Sequence, residues 1–118
     1  MVLFVPSVER DGTTRIDQVY WANQALETFG HLFGGATAFP KAEGVWRDDE
    51  RGGVLIYDQP VIVHCYVREE NLSPSQDADP LTALGAFCRR LGHEAGQGEV
   101  GLVIDNEYFA FTAFAAEE

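Results

Sequence analysis

LFGGATAFPKAEGVWRDDERGG, residues Leu32–Gly53, decides the fold. Gly34 and Gly35 stand either before a helix, where their amides would cradle a phosphate, or after one, where they close it. The residues upstream settle the choice. Val19, Ala22, Leu26, Phe29 and Phe33 recur at steps of three and four, one face of a helix, and Asp17 or Thr14 supplies its N-cap. Glycine after a helix provides the left-handed residue that ends it, whereas a phosphate cradle needs glycines ahead of a helix N-terminus. The stretch therefore reads as helix end, turn and strand. Ala36–Phe39 starts the strand, Pro40 interrupts it and Gly44–Asp48 continues it, with Asp49-Glu50-Arg51-Gly52 as a hairpin turn.

Working outward, Val2–Val8 is a first strand, before a turn at Asp11-Gly12. Val54–Tyr57 and Val61–Val67 follow the hairpin turn, and Asp58-Gln59-Pro60 between them marks a bulge, bend or edge. Arg68–Asp79 is polar and reads as a surface loop long enough to serve as a lid. Asp79-Pro80 opens a second helix, aspartate as cap and proline in the first turn, with Leu81, Leu84, Cys88, Leu91 and Ala95 as its apolar stripe. Glu99–Ile104 is a strand, Asp105-Asn106 a turn and Tyr108–Phe114 an edge strand. The order strand–helix–strand–strand–helix–strand, plus a C-terminal strand, is the split β-α-β pattern of a ferredoxin-like α+β fold. It predicts an antiparallel sheet with both helices on one face, in a single domain over residues 1–118.

Composition excludes several function classes. The chain has 8 Lys+Arg against 19 Asp+Glu, a net charge of −11. Such a surface repels nucleic acid and anionic lipid, both of which need clustered cations; it suits solubility or a partner with a basic surface. No apolar run approaches the ~20 residues of a membrane helix. The start, broken by Pro6 and without a basic segment, is not expected to be a signal peptide. Two cysteines, Cys65 and Cys88, are too few for a disulfide framework and read as buried thiols of a cytoplasmic protein.

Alternation assigns the faces of the strand from Val61. Val61, Val63, Cys65 and Val67 form an apolar side that meets the helices. Ile62, His64, Tyr66 and Arg68 form the other. An open face of this kind either packs on a second copy, giving a homodimer, or lines a pocket for a small molecule, or stays solvated. His64 is the candidate general acid/base, since its ordinary pKa lies near neutrality, with Tyr66 and Tyr57 as hydrogen-bonding partners. Arg47 and Arg68 are candidates to hold an anionic group, and Glu99, with Gln97 nearby, to orient His64. Trp46 is a core residue, a dimer contact or a stacking surface. His31 and His93 sit where they complement helix C-termini. No two histidines share a metal-ligand spacing, both cysteines fall on core stripes, and there is no nucleophile elbow, P-loop or dinucleotide fingerprint. No metal or cofactor is expected.

Phe33-Gly34-Gly35-Ala36-Thr37, then Gly44-Val45-Trp46-Arg47, then a valine-rich strand ending in Tyr66 and Gln97-Gly98-Glu99-Val100 resemble an F-G-G-x-T … G-x-W … Q-x-x-V pattern. It is found in small bacterial proteins of uncharacterised families. The resemblance covers Ile16 to Ile104, implies a ferredoxin-like fold without implying an activity, and draws attention to Thr37, Trp46 and Gln97. The leading expectation is a homodimeric binding protein using the open sheet face. The alternatives are a cofactor-independent enzyme built on His64, and an immunity- or antitoxin-like protein that binds a basic partner.

Overall fold

Leu3 and Val5 are fully buried while Val2 and Phe4 are only half-buried, the period-two alternation of a strand with one face on a core. This strand, β1 (Val2–Val5), lies at the centre of the main sheet. The computed structural model describes residues 1–39, 41–67 and 79–112. After β1 come α1 (Gln18–Phe33), β2 (Thr37–Phe39), β3 (Gly44–Asp48), β4 (Val54–Asp58), β5 (Val61–His64), α2 (Pro80–Glu94), β6 (Glu99–Ile104) and β7 (Glu107–Thr112). The five-stranded sheet has the order β2-β5-β1-β6-β7, and every pairing in it is antiparallel. β3 and β4 form a separate two-stranded antiparallel sheet. The protein is thus α+β, with an antiparallel sheet and two helices.

Register explains the core. Leu3 pairs with Val63 on one side and Leu102 on the other, so the three side chains share a face. They are buried in one cluster with Trp21, Ala25, Phe29 and Phe33 of α1 and Leu84, Phe87, Cys88 and Leu91 of α2. Fully burying one such large aliphatic or aromatic side chain contributes roughly 1.5–3 kcal/mol. Between the helices the Arg90 guanidinium lies over the Trp21 ring at 5.0 Å and the Phe87 ring at 5.6 Å, an aromatic clamp on a cation.

The helix ends follow from their caps. Asp17 accepts a hydrogen bond from the Tyr20 amide at 3.1 Å. Gly34 takes the left-handed conformation (φ 95°) and its N–H closes on the Gly30 carbonyl at 3.0 Å. Asp79 caps α2 through the Leu81 amide.

Several sequence expectations are corrected. Val19 is 73% exposed and Leu81 is exposed; the buried face of α1 is Trp21, Ala22, Ala25, Phe29 and Phe33, turned so that the Trp21 ring meets Phe87 and Arg90 of α2. The first strand stops at Val5, before Pro6, which lacks an N–H to donate to the ladder; Val8 keeps only an isolated bridge to Arg15. The strand beginning at Val61 ends at His64 rather than Val67. The largest change concerns residues 36–48. They do not make one interrupted strand: β2 joins β5 directly, with Phe39 opposite Ile62, and residues 41–60 leave the sheet as the β3–β4 hairpin. That hairpin closes through a 3-10 turn, Asp49–Arg51, with Asp48 accepting from the Glu50 amide. Most of the loop expected over Arg68–Asp79, and the end of the strand expected to reach Phe114, lie outside the described residues.

Candidate ligand cleft

The sheet face opposite the helices carries, by register, Thr37, Phe39, Ile62, His64, Phe4, Glu99, Gly101 and Tyr108. The β3–β4 hairpin stands against one part of it, leaving a cleft of about 640 Å³. Phe4, Glu99, Gly101 and Tyr108 line its sheet side, Gly44 to Glu50 with Asp58 and Pro60 its hairpin side, and Pro6, Arg10, Gln97 and Gly98 its ends.

Specific contacts hold the hairpin there. At its base the Ser7 amide (2.8 Å) and hydroxyl (2.5 Å) both donate to Asp58 Oδ1, and Ser7 Oγ accepts from the Gln59 amide at 3.1 Å. At its tip Arg10 pairs with Glu50 at 2.5 Å, and Arg51 donates to the Arg10 carbonyl at 3.0 Å. In its middle the buried Ile56 packs on Gly12. Gly12 has φ +79°, and a Cβ there would fall 3.1 Å from Ile56 Cγ2, so glycine serves both the turn and the contact.

The charge in the cleft is unevenly compensated. Arg51 neutralises the buried Asp48 at 2.6 Å and holds its carboxyl below the usual range. Arg47 pairs with Asp49 at 2.5 Å, and Arg10 with Glu50. Asp58 and Glu99 are held instead by neutral donors, Ser7 and Tyr108. The Tyr108 hydroxyl donates to Glu99 Oε2 at 2.7 Å. Partial desolvation of that hydroxyl on the half-exposed Tyr108, then the hydrogen bond to Glu99 and its negative charge, push the phenol above its ordinary pKa. Its ring lies so close to Gly101 that a Cβ there would come within 2.6 Å of the phenol oxygen.

The cleft brings together four of the residues singled out from sequence: Trp46, Arg47, Gln97 and Glu99. Their roles differ. Trp46 offers an aromatic wall. Arg47 is already paired with Asp49. The buried Gln97 carboxamide donates to the Val8 (2.7 Å) and Ala95 (3.0 Å) carbonyls and so braces the chain behind the cleft. Glu99 is engaged by Tyr108. His64 and Tyr66 lie outside the lining; their rings meet edge-on at 4.8 Å, and Tyr66 is 87% exposed. Tyr57 is also outside the lining and 71% exposed. Arg68 lies outside the described residues. Phe4, Arg10, Gly101 and Tyr108 were not anticipated. Two signals pointed to the last pair: a glycine inside a strand marks a close approach, and the turn at Asp105-Asn106 fixes the register that lays Tyr108 diagonally beside Gly101.

Cys65 and Cys88 are buried free thiols. Burial pushes the Cys88 thiol up to about 12 and also raises that of Cys65, so little thiolate exists at neutral pH. Among the described residues no group of His, Cys, Asp or Glu is placed to hold a metal ion, and no helix is long and apolar enough to cross a membrane.

These features define a small α+β domain with an aromatic, acid-rich cleft on its open sheet face. The chain matches no family model, and no curated protein matches it significantly. Among solved structures it is similar to a phage SAM lyase in complex with S-methyl-5′-thioadenosine, with a TM-score of 0.63 and 18% identity over 95% of this chain and 87% of that one. At that identity the likeness shows the fold alone.

Proposed function

We propose that this protein binds a small organic molecule in the cleft between the open sheet face and the β3–β4 hairpin, and that the ligand is an adenosine-derived sulfonium or thioether. The observation that carries the reading is the cleft itself. Its volume, about 640 Å³, falls within the range of about 300–1,000 Å³ typical of ligand sites. Trp46, Phe4 and Tyr108 put aromatic side chains in the lining, where a base can stack, and the carboxylates favour a cation over a phosphate. The neighbour of shared fold, a SAM lyase holding S-methyl-5′-thioadenosine, supports the choice of ligand class. We also read the architecture as ferredoxin-like. The order β2-β5-β1-β6 with antiparallel pairing supports this, the β3–β4 hairpin being an insertion and β7 an addition.

Calorimetric titration with S-methyl-5′-thioadenosine tests the reading. The expected result is saturable binding that Trp46→Ala weakens about tenfold or more, since stacking a base on an aromatic ring is worth about 1–3 kcal/mol. No saturation, or equal binding by the variant, would overturn it.

The homodimer expected from the sequence is a second reading, for the part of the open face beyond the cleft. Phe39, His64 and Tyr66 support it by leaving aromatic surface there. The mass of the protein in solution decides it: a monomer at all concentrations removes it.

A further inference from the structure

Among the carboxylates lining the cleft, Glu99 differs from the rest. Asp48, Asp49 and Glu50 each have an arginine partner. Asp58 Oδ1 is taken by both donors of the nearly buried Ser7, so its work is to anchor the hairpin. Glu99 has no cationic partner among the described residues. One oxygen, Oε2, accepts from the Tyr108 hydroxyl; this fixes the carboxylate beside an aromatic ring without neutralising it. Gly101 is part of the same construction, because any larger residue there would displace the ring. A carboxylate fixed at the hydroxyl end of an aromatic ring and left without a cationic partner attracts a cation by Coulomb attraction.

We propose that Glu99, positioned by Tyr108, reads the charge on the ligand sulfur, so that the cleft takes a sulfonium in preference to the neutral thioether. This rests on the reading of the cleft as a ligand site and adds a specificity-determining residue to it. Tyr108 is the positioning residue and Gly101 the space that admits it.

The test compares SAM with S-adenosylhomocysteine, which differ by one methyl group and the charge on sulfur. Binding of both is measured by calorimetry at fixed ionic strength, since exposed charges are screened by salt. The protein as it stands is expected to bind SAM about tenfold more tightly, the scale of a partly screened charge pair. Glu99→Gln retains an acceptor for the Tyr108 hydroxyl and is expected to lower SAM affinity to that of S-adenosylhomocysteine. Tyr108→Phe is expected to reduce the preference without abolishing either interaction. Equal binding of the two ligands by the unaltered protein, or a preference that survives Glu99→Gln, overturns the proposal while leaving the cleft reading intact. If neither nucleoside binds, the adenosine reading falls. The charge proposal is then judged with trimethylsulfonium, followed by the NMR signals of the Tyr108 ring. A saturable shift abolished by Glu99→Gln upholds it, and no shift overturns it.

Discussion

At the scale of single residues, the carboxylates of this acidic chain divide by what holds them. Asp11 accepts from the Thr13 and Thr14 amides, each at 2.8 Å, and from the Thr14 hydroxyl. These bonds, those from Thr14 foremost, favour the ionised form and lower its pKa to about 2, against an ordinary value of about 3.9. A lowered folded-state pKa gives stability that is fully present above the unfolded value and is lost as pH falls towards the folded one. Asp11 should therefore support the fold above about pH 4 and cease to do so near pH 2. The expected measurement is a carboxyl NMR midpoint near 2, with the stability gap between the protein and Asp11→Asn narrowing across that window. An ordinary midpoint would refute it. Single-residue roles were partly legible in the sequence. Trp46 and Glu99 stood out by type, whereas the pair formed by Glu99 and Tyr108 exists only once β7 has folded back on β6 in a set register. His64 stood out by its chemistry, but its position along β5 sets it away from the cleft lining.

At the scale of elements, local chemistry wrote the helices and their ends almost completely. The caps Asp17 and Asp79 and the terminator Gly34 act through bonds to nearby backbone, so short sequence windows contain what is needed. Glu99–Ile104 is equally plain, a β-rich run bounded by Gly98 and the turn at Asp105-Asn106. The strands around Pro40 were not. Whether residues 36–48 form one strand or two depends on which partner each half finds, and β5, which takes β2, lies more than twenty residues downstream of it. Burial pattern gives no help, because β3 and β4 are largely exposed and lack a clean alternation. The hairpin keeps its place through the Ser7–Asp58 clasp, the Arg10–Glu50 pair and the contact of Ile56 with Gly12. All three join it to the segment between β1 and α1, a connection that no short window reveals.

At the scale of the whole molecule, the core shares β1 and β6 with the cleft but owes nothing to the hairpin that forms the other wall. The buried cluster is built from β1, α1, β5, α2 and β6 with flanking residues, and contains nothing from residues 41–60. β2 and β5 are already aligned as adjacent antiparallel strands, with Phe39 opposite Ile62 and Thr37 opposite His64. A two-residue Asn-Gly turn is the natural join for strands in that relation. A chain in which this turn replaces residues 41–60 should keep its helical and sheet circular dichroism and unfold cooperatively, yet bind no cleft ligand. Loss of cooperative unfolding would show instead that the hairpin is needed for folding. The excursion is thus a separable wall, fastened to the rest of the chain at Ser7, Arg10 and Gly12, and its removal leaves every residue of the core cluster in place.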